Sequence, residues 1–290
     1  MCAIVKQISD FAEKTNFSDL PGEVVHEMKR VVLDSIGCAL LGRLTSRGKI
    51  AGNLASRLGG PLESTVIGTN DMVSCSNAAF ANGESMNALD FDAISHVGRH
   101  DVPTVISGLL ALSESACVSG RDLILGTAIA FEISGRVKLA AGSISTTGSK
   151  NGKISWPEVS AVAEGASLGV AAGSGKIMSL DKEKIANAIG IAGYICIPPT
   201  MRKYMDTAPV RMVKYGPSGW GAQAGITAAL LAERGYTGDT DLFDGEYGFY
   251  RYMGKNKGEV DTEMVLRSFK SLGGRWNAHK MSYKQYPAGY

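Results

Sequence analysis

Between Asp90 and His100 the chain gathers two carboxylates (Asp90, Asp92), two of its four histidines (His96, His100) and Arg99. Histidine is the side chain whose proton affinity lies nearest neutrality. A carboxylate beside it can orient or recharge it, and a cation can hold an anionic substrate. The combination suits proton transfer on a negatively charged molecule. His100 and Asp90 are the candidate acid–base groups; His96 and Arg99 are candidate anion contacts. The residues alone leave open a solvated polar loop of the same composition.

A second group runs from Arg211 to Gly221 and leads into an apolar stretch, Ala222 to Leu231. Lys214 precedes what reads as a helix start. A lysine there can pair with an anion or, once desolvated, act as a base. The glycines Gly219 and Gly221 would let a carboxylate approach the amides of the helix N-terminus. The competing reading is a Gly-Pro turn with a surface lysine. A third group, Tyr283-Lys284-Gln285-Tyr286-Pro287, offers Lys284 as an anion contact, or simply an aromatic turn. Arg202 and Lys203, after Pro198-Pro199, form a weaker candidate contact of the same kind.

Other chemistries find little support. Gly169 to Lys176 superficially resembles a phosphate-binding loop, but its first glycine is out of register. Ile177 also stands where a metal-binding Ser or Thr belongs. GxSxG and HExxH are absent. His96 and His100 are spaced for zinc on a helix, yet Gly98 disfavours a helix there, and His26 and His279 are remote in sequence. No metal is expected.

The elements that must position these groups are mostly helical. Val24, Val25, Met28, Val31, Val32, Ile36 and Leu40 recur at helical spacing, between Pro21 and a terminating Gly42. Further helices are expected over Ser74–Ala88, Val102–Cys117, Arg121–Ala140, Pro157–Ala172, Asp181–Gly193 and Gly219–Gly235. Ser74 and Asp181 are plausible N-caps. Leu62 to Gly68 reads as one short strand or an extended link, and Gly142 to Lys153 as a long mobile loop. Many of the 36 glycines lie inside apolar helical stretches, where each costs helix propensity. Close helix–helix approach is the expected compensation, in a mainly α, compact all-helical body.

Composition narrows the function. A chain that is 44% hydrophobic and 20% charged can build a core. Its 30 basic residues are interspersed with 28 acidic ones, leaving no stripe for nucleic acid. The most apolar stretch, Val102 to Leu112, is too short and too interrupted to span a membrane. Five scattered cysteines, never in a CxxC, and no signal peptide suggest reduced thiols in the cytoplasm. Aromatic and charged residues rise after Gly235. A boundary is expected at 255–262, dividing a main domain (1–260) from the start of a second one (261–290).

In order and spacing the chain resembles the MmgE/PrpD family. The resemblance is carried by Ala88-Leu89-Asp90-Phe91-Asp92 to His100 and the following helix Val105 to Glu114. It continues through Ala188 to Gly193, Lys214 leading into Gly225 to Ala232, and Tyr283 to Pro287. It implies an all-helical main domain with a smaller α+β lid, usually in a homodimer, and cofactor-independent chemistry on small polycarboxylates. By position, Asp90, His100, Lys214 and Lys284 match residues that line the family's pocket. Family members run on past this length. Residues 261–290 are therefore expected to begin an incomplete lid, the remainder coming from a longer polypeptide or from a second chain in a hetero-oligomer.

Ala93 and Ile94 stand where members commonly carry Asp and Thr. Trp156 and Gly289 stand near positions where the decarboxylase-like pattern has histidines. The expected activity is therefore a hydro-lyase of the 2-methylcitrate dehydratase type. It would act on a di- or tricarboxylate by α-proton abstraction. Epimerase or decarboxylase chemistry, or a non-catalytic half of a split enzyme, are the alternatives.

Overall fold

Small residues on the central helices set the architecture. The computed structural model describes residues 1–97, 100–141, 164–196, 207–253 and 262–288. Its helices are α1 (Ala3–Lys14), α2 (Gly22–Gly42), α3 (Ser46–Leu58), α4 (Cys75–Met86), α5 (Val102–Ser115), α6 (Gly120–Ala140) and α7 (Glu164–Ile177). They continue with α8 (Lys182–Ile195), α9 (Ser218–Glu233), α10 (Phe249–Met253) and α11 (Thr262–Lys270). The protein is mainly α, as its periodicity predicts.

The longest seam joins α6 to α7, and α9 lies at the centre against α4, α5, α7 and α8. At this crossing a β-carbon on Gly219 would collide with the backbone carbonyl of Phe80 on α4. The helices meet backbone to backbone there, which only glycine permits. This is the compensation expected for glycine-rich helices. One continuous apolar core results, including Ile8, Met28, Met86, Ile106, Leu109, Ile129, Ile133, Leu168 and Ile189.

Several boundaries differ from expectation. Helices α1 and α3 were not anticipated. In α1, Ile4, Val5, Ile8 and Ala12 face inward against α8. Leu62 to Gly68 is neither one strand nor a link: Ser64–Thr65 (β1) pairs antiparallel with Met72–Val73 (β2). Asp181 caps α8 through its side chain, accepting from the Lys184 amide. Ser74 occupies the N-cap position of α4 but makes no side-chain capping bond. The Gly142–Lys153 loop and the start of the helix placed at Pro157 lie outside the described residues.

Helix α2 buries Glu27, Ser35 and Cys38 on its inner face, while Leu33 and Leu40 stay exposed. That polar inner stripe faces the C-terminal segment and the Asp90–His100 loop. The Glu27 carboxylate accepts from Tyr283 Oη at 3.0 Å, and Asp34 accepts from the Ala93 amide at 3.3 Å.

Residues 262–288 lie on the helical body. Helix α11 packs on α6 and α1. Met281–Ser282 (β4) pairs antiparallel with Ile94–Ser95 (β3), Ile94 opposite Ser282. Two buried charges on α6 anchor this segment. The Arg136 guanidinium donates to the carbonyls of Ser268, Ser271 and Arg275. Glu132 accepts from the amides of Asn277 and Ala278 and pairs with Arg136 at 2.6 Å.

Candidate active site

The strand pair β3–β4 forms one wall of a cavity of about 440 Å³, lined by Ser95, His96, His100, Ser282, Tyr283 and Lys284 among others. That is within the size range of small-molecule sites. Residues of the first and third sequence groups line it, and Lys214 of the second joins them through Asp90. Asp90 follows α4, Lys214 precedes α9, and Lys284 follows β4.

The Asp90 carboxylate is the hub. Lys214 Nζ lies 3.2 Å and Lys284 Nζ 3.3 Å from the same oxygen, Oδ1. Lys284 also donates to the Asp90 backbone carbonyl at 2.8 Å, and Lys214 to the Asn87 carbonyl at 3.1 Å. Both lysines are withdrawn from solvent, their side chains 10% and 1% exposed. Asp90 and Lys214 hold left-handed backbone conformations, with φ of 56° and 49°. For non-glycine residues such geometry costs roughly 1–3 kcal/mol each and persists where the surroundings impose it, as at functional sites.

Burial works to raise the Asp90 pKa, but the ammonium groups of Lys214 and Lys284 outweigh it and hold the carboxyl below its ordinary value. Burial lowers the Lys214 pKa against the opposing pull of Asp90. His100 is buried, and burial together with the charge of Lys284 pulls its pKa down to about 3, despite Asp90 nearby. Its imidazole is therefore neutral near pH 7. The Nδ1 atom of His100 lies 3.2 Å from Tyr215 Oη, which lies 3.5 Å from Asp90 Oδ1.

A further set of residues supports these groups. Asn87 Nδ2 hydrogen-bonds Tyr215 Oη and, at 3.2 Å, Asp92 Oδ1. Arg47 donates to Asn87 Oδ1 at 3.1 Å and pairs with Glu84 at 2.8 Å. Asp101, fully enclosed, accepts from Ser95 at 2.7 Å and Ser134 at 2.8 Å. Burial lifts the carboxyls of Asp92 and Asp101 each to about 6.

The sequence expectations fare unevenly. His100, Asp90, Lys214 and Lys284 stand together. His96 sits at the cavity rim, exposed, its Nε2 2.9 Å from Ser282 Oγ. Arg99 and Arg202 lie outside the described residues, as do Trp156 and Gly289.

Gly219 and Gly221 require correction. The Gly219 amide donates to Glu84 Oε1 at 3.0 Å, and the Gly221 amide to the Pro217 carbonyl at 3.3 Å. A carboxylate of the protein itself takes the Gly219 amide, and Gly219 serves the close packing of α9 on α4.

Sequence reasoning assigned no role to Tyr215, Asn87 or Asp101. Tyr215 was adjacent to a flagged lysine, the one signal available. Only the fold shows that it turns toward His100.

A helical body thus brings two lysines, a carboxylate and a buried imidazole together beside one cavity. The chain belongs to the MmgE/PrpD family, whose N-terminal domain pattern matches residues 6–260. It is 28% identical over 274 residues to human cis-aconitate decarboxylase, covering 93% of this chain and 53% of the relative. It is 25% identical to cis-aconitate decarboxylase of Aspergillus terreus, covering 98% of this chain and 56% of the relative. It is 24% identical to a cis-aconitate decarboxylase-like protein of Aspergillus oryzae, covering 97% and 58%. The chain thus spans a little over half the length of these relatives.

Proposed function

We propose that the protein is a lyase of the hydro-lyase type that abstracts a proton from the carbon next to a carboxylate of a small di- or tricarboxylate. One observation carries the reading: two nearly buried ammonium groups converge on a single carboxylate oxygen beside a buried, neutral imidazole. In the free protein Asp90 occupies the position of an anion between Lys214 and Lys284. A substrate carboxylate entering the cavity would share or take over these lysines. Their charge would then stabilise the enolate-like electron pair left when the C–H bond breaks. His100 is the proton acceptor, and Asp90 tunes it. The β-hydroxyl then leaves with the C–O electron pair and takes back the proton held by the His100 imidazolium, departing as water and leaving a carbon–carbon double bond.

Decarboxylation is the second reading, favoured by the activity named for the relatives at 24–28% identity. It uses the same lysines to stabilise the electron pair left on the substrate when the C–C bond to the departing CO₂ breaks, and a proton then adds at that carbon. Incubating the protein with a panel of polycarboxylates in deuterated water, followed by NMR, separates the outcomes. Loss of water supports the leading reading, loss of CO₂ the second, and exchange with inversion an epimerase. Either His100→Ala or Lys214→Ala is expected to lower turnover by about 10²-fold or more. Unchanged turnover in either variant would refute the assignment of roles. Homodimerisation, or assembly with a second chain, belongs to the same proposal and is read from the mass in solution by light scattering.

A further inference from the structure

Tyr215 stands between the two groups that the proposed chemistry needs most. Its hydroxyl is 3.2 Å from His100 Nδ1 and 3.5 Å from Asp90 Oδ1, while the rings of Tyr215 and His100 lie 4.6 Å apart between centroids. No direct His100–Asp90 hydrogen bond is present among the described residues.

The orientation of the surrounding groups follows from donors that cannot reverse. Arg47 is donor-only and faces the Asn87 side-chain carbonyl. The Asn87 NH₂ group therefore faces Tyr215, whose oxygen accepts from it. Acceptors within reach of the single phenolic proton include an anionic carboxylate held by two lysines and a neutral imidazole nitrogen. Charge-assisted hydrogen bonds are roughly twice as strong as neutral ones, which favours the carboxylate.

We infer that Tyr215 is a positioning residue that links His100 to Asp90: its hydroxyl donates to Asp90 Oδ1 while its oxygen accepts from His100 Nδ1–H. This arrangement fixes the imidazole as the Nδ1–H tautomer and leaves Nε2 with a free electron pair for the substrate. When His100 takes up the substrate proton, the C–H bond breaks, an Nε2–H bond forms, and the electron pair stays on the substrate. The imidazolium keeps its Nδ1–H bond to Tyr215, whose own proton stays on its oxygen and points to Asp90. The carboxylate thereby stabilises the developing positive charge across one hydroxyl. Asp90 is the negative charge acting on His100, set against Lys214, Lys284 and, from α6, Lys138.

The inference rests on the reading of His100 as the proton acceptor, so its test has one arm that needs no substrate. In protein labelled with ¹⁵N-histidine, the His100 resonances are assigned by their loss in His100→Gln. The wild type is expected to show a protonated Nδ1 and an unprotonated Nε2. Tyr215→Phe keeps the ring and removes the hydroxyl, and should move the proton toward Nε2. Asp90→Asn should shift it in the same direction and provides the readout if Tyr215→Phe fails to fold. A wild-type imidazole protonated at Nε2, or a tautomer unchanged in the variants, would overturn the link whatever the activity. In the kinetic arm, Tyr215→Phe should lower kcat by about 10-fold to 10²-fold while KM changes less than threefold. If the tautomer shifts as expected and no polycarboxylate is turned over, the link stands and the proposed reaction falls.

Discussion

In the proposed reaction His100 starts as a poor base. Burial and the nearby lysine charge hold its pKa at about 3 in the free protein, far below what efficient proton abstraction near neutrality needs. On the proposed reading a polyanionic substrate reduces this imbalance by offsetting the lysine charge, while the larger effect of burial remains. A substrate whose carboxylates pair with Lys214 and Lys284 cancels the charges that depress the imidazole. The pKa of His100 is therefore expected to rise on binding of an unreactive dicarboxylate, by about one unit for each 1.4 kcal/mol of repulsion removed. An NMR titration of the His100 ring with and without the ligand reads this directly, and an unmoved midpoint would contradict the account. Much of this site was visible beforehand in Asp90, His100, Lys214 and Lys284, because charged residues stand out against a small-residue background. Tyr215 and Asp101 were not. Tyrosine and buried carboxylates recur widely in cores, and only three-dimensional proximity distinguishes these two.

At the scale of elements, α6 does more than pack. Glu132 and Arg136 are a buried pair whose remaining valences hold residues 268–278, and that segment leads into β4 and Lys284. Removing one member of a buried pair strands the other and costs about 3–5 kcal/mol. Glu132→Gln or Arg136→Met should therefore lower the unfolding free energy by about that amount. Amide exchange of residues 268–288 should also rise more than in α7 or α9. Uniform exchange across the protein would argue that the pair does not specifically hold this segment. The crossing of α4 and α9 makes a second demand. Gly219→Ala inserts a methyl group where Phe80 leaves no room, and should cost about 1–3 kcal/mol in urea unfolding. The helices were legible because apolar residues recur at their period. Helix α2 shows where that reading runs short. Its buried stripe includes Glu27, Ser35 and Cys38 alongside Val24, Met28 and Val31, and Glu27 is accommodated there because Tyr283 donates to it. An apolar-only pattern would instead turn Ile36 and Leu40 inward.

For the whole molecule, buried carboxyls couple stability to pH. Asp92 and Asp101 carry folded pKa values near 6, against an ordinary value of 3.8. Between about pH 4 and pH 6 the folded chain binds more protons than the unfolded one at these sites. Their contribution to stability is full below that window and is lost as pH rises through about 6, by at most about 3 kcal/mol per carboxyl. Asp90 is shifted the other way, and its contribution is lost as pH falls through its depressed folded pKa. Asp101→Asn is expected to flatten the pH dependence of the urea midpoint between pH 4 and 7 relative to the wild type. An equally steep profile would show that Asp101 is not the group responsible.

The pairing of β3 with β4 also bears on the order of folding. His96 and Ser282, which meet across it, are 186 positions apart in sequence. Contacts of such separation close a long loop before they return any favourable energy, and they form slowly. Helix pairs such as α6 with α7 and α4 with α5 can assemble from nearer neighbours, but the cavity wall cannot. In a refolding experiment, helical signal should therefore recover before ligand binding does, and the interval between the two would be the time the chain spends folded yet without a site.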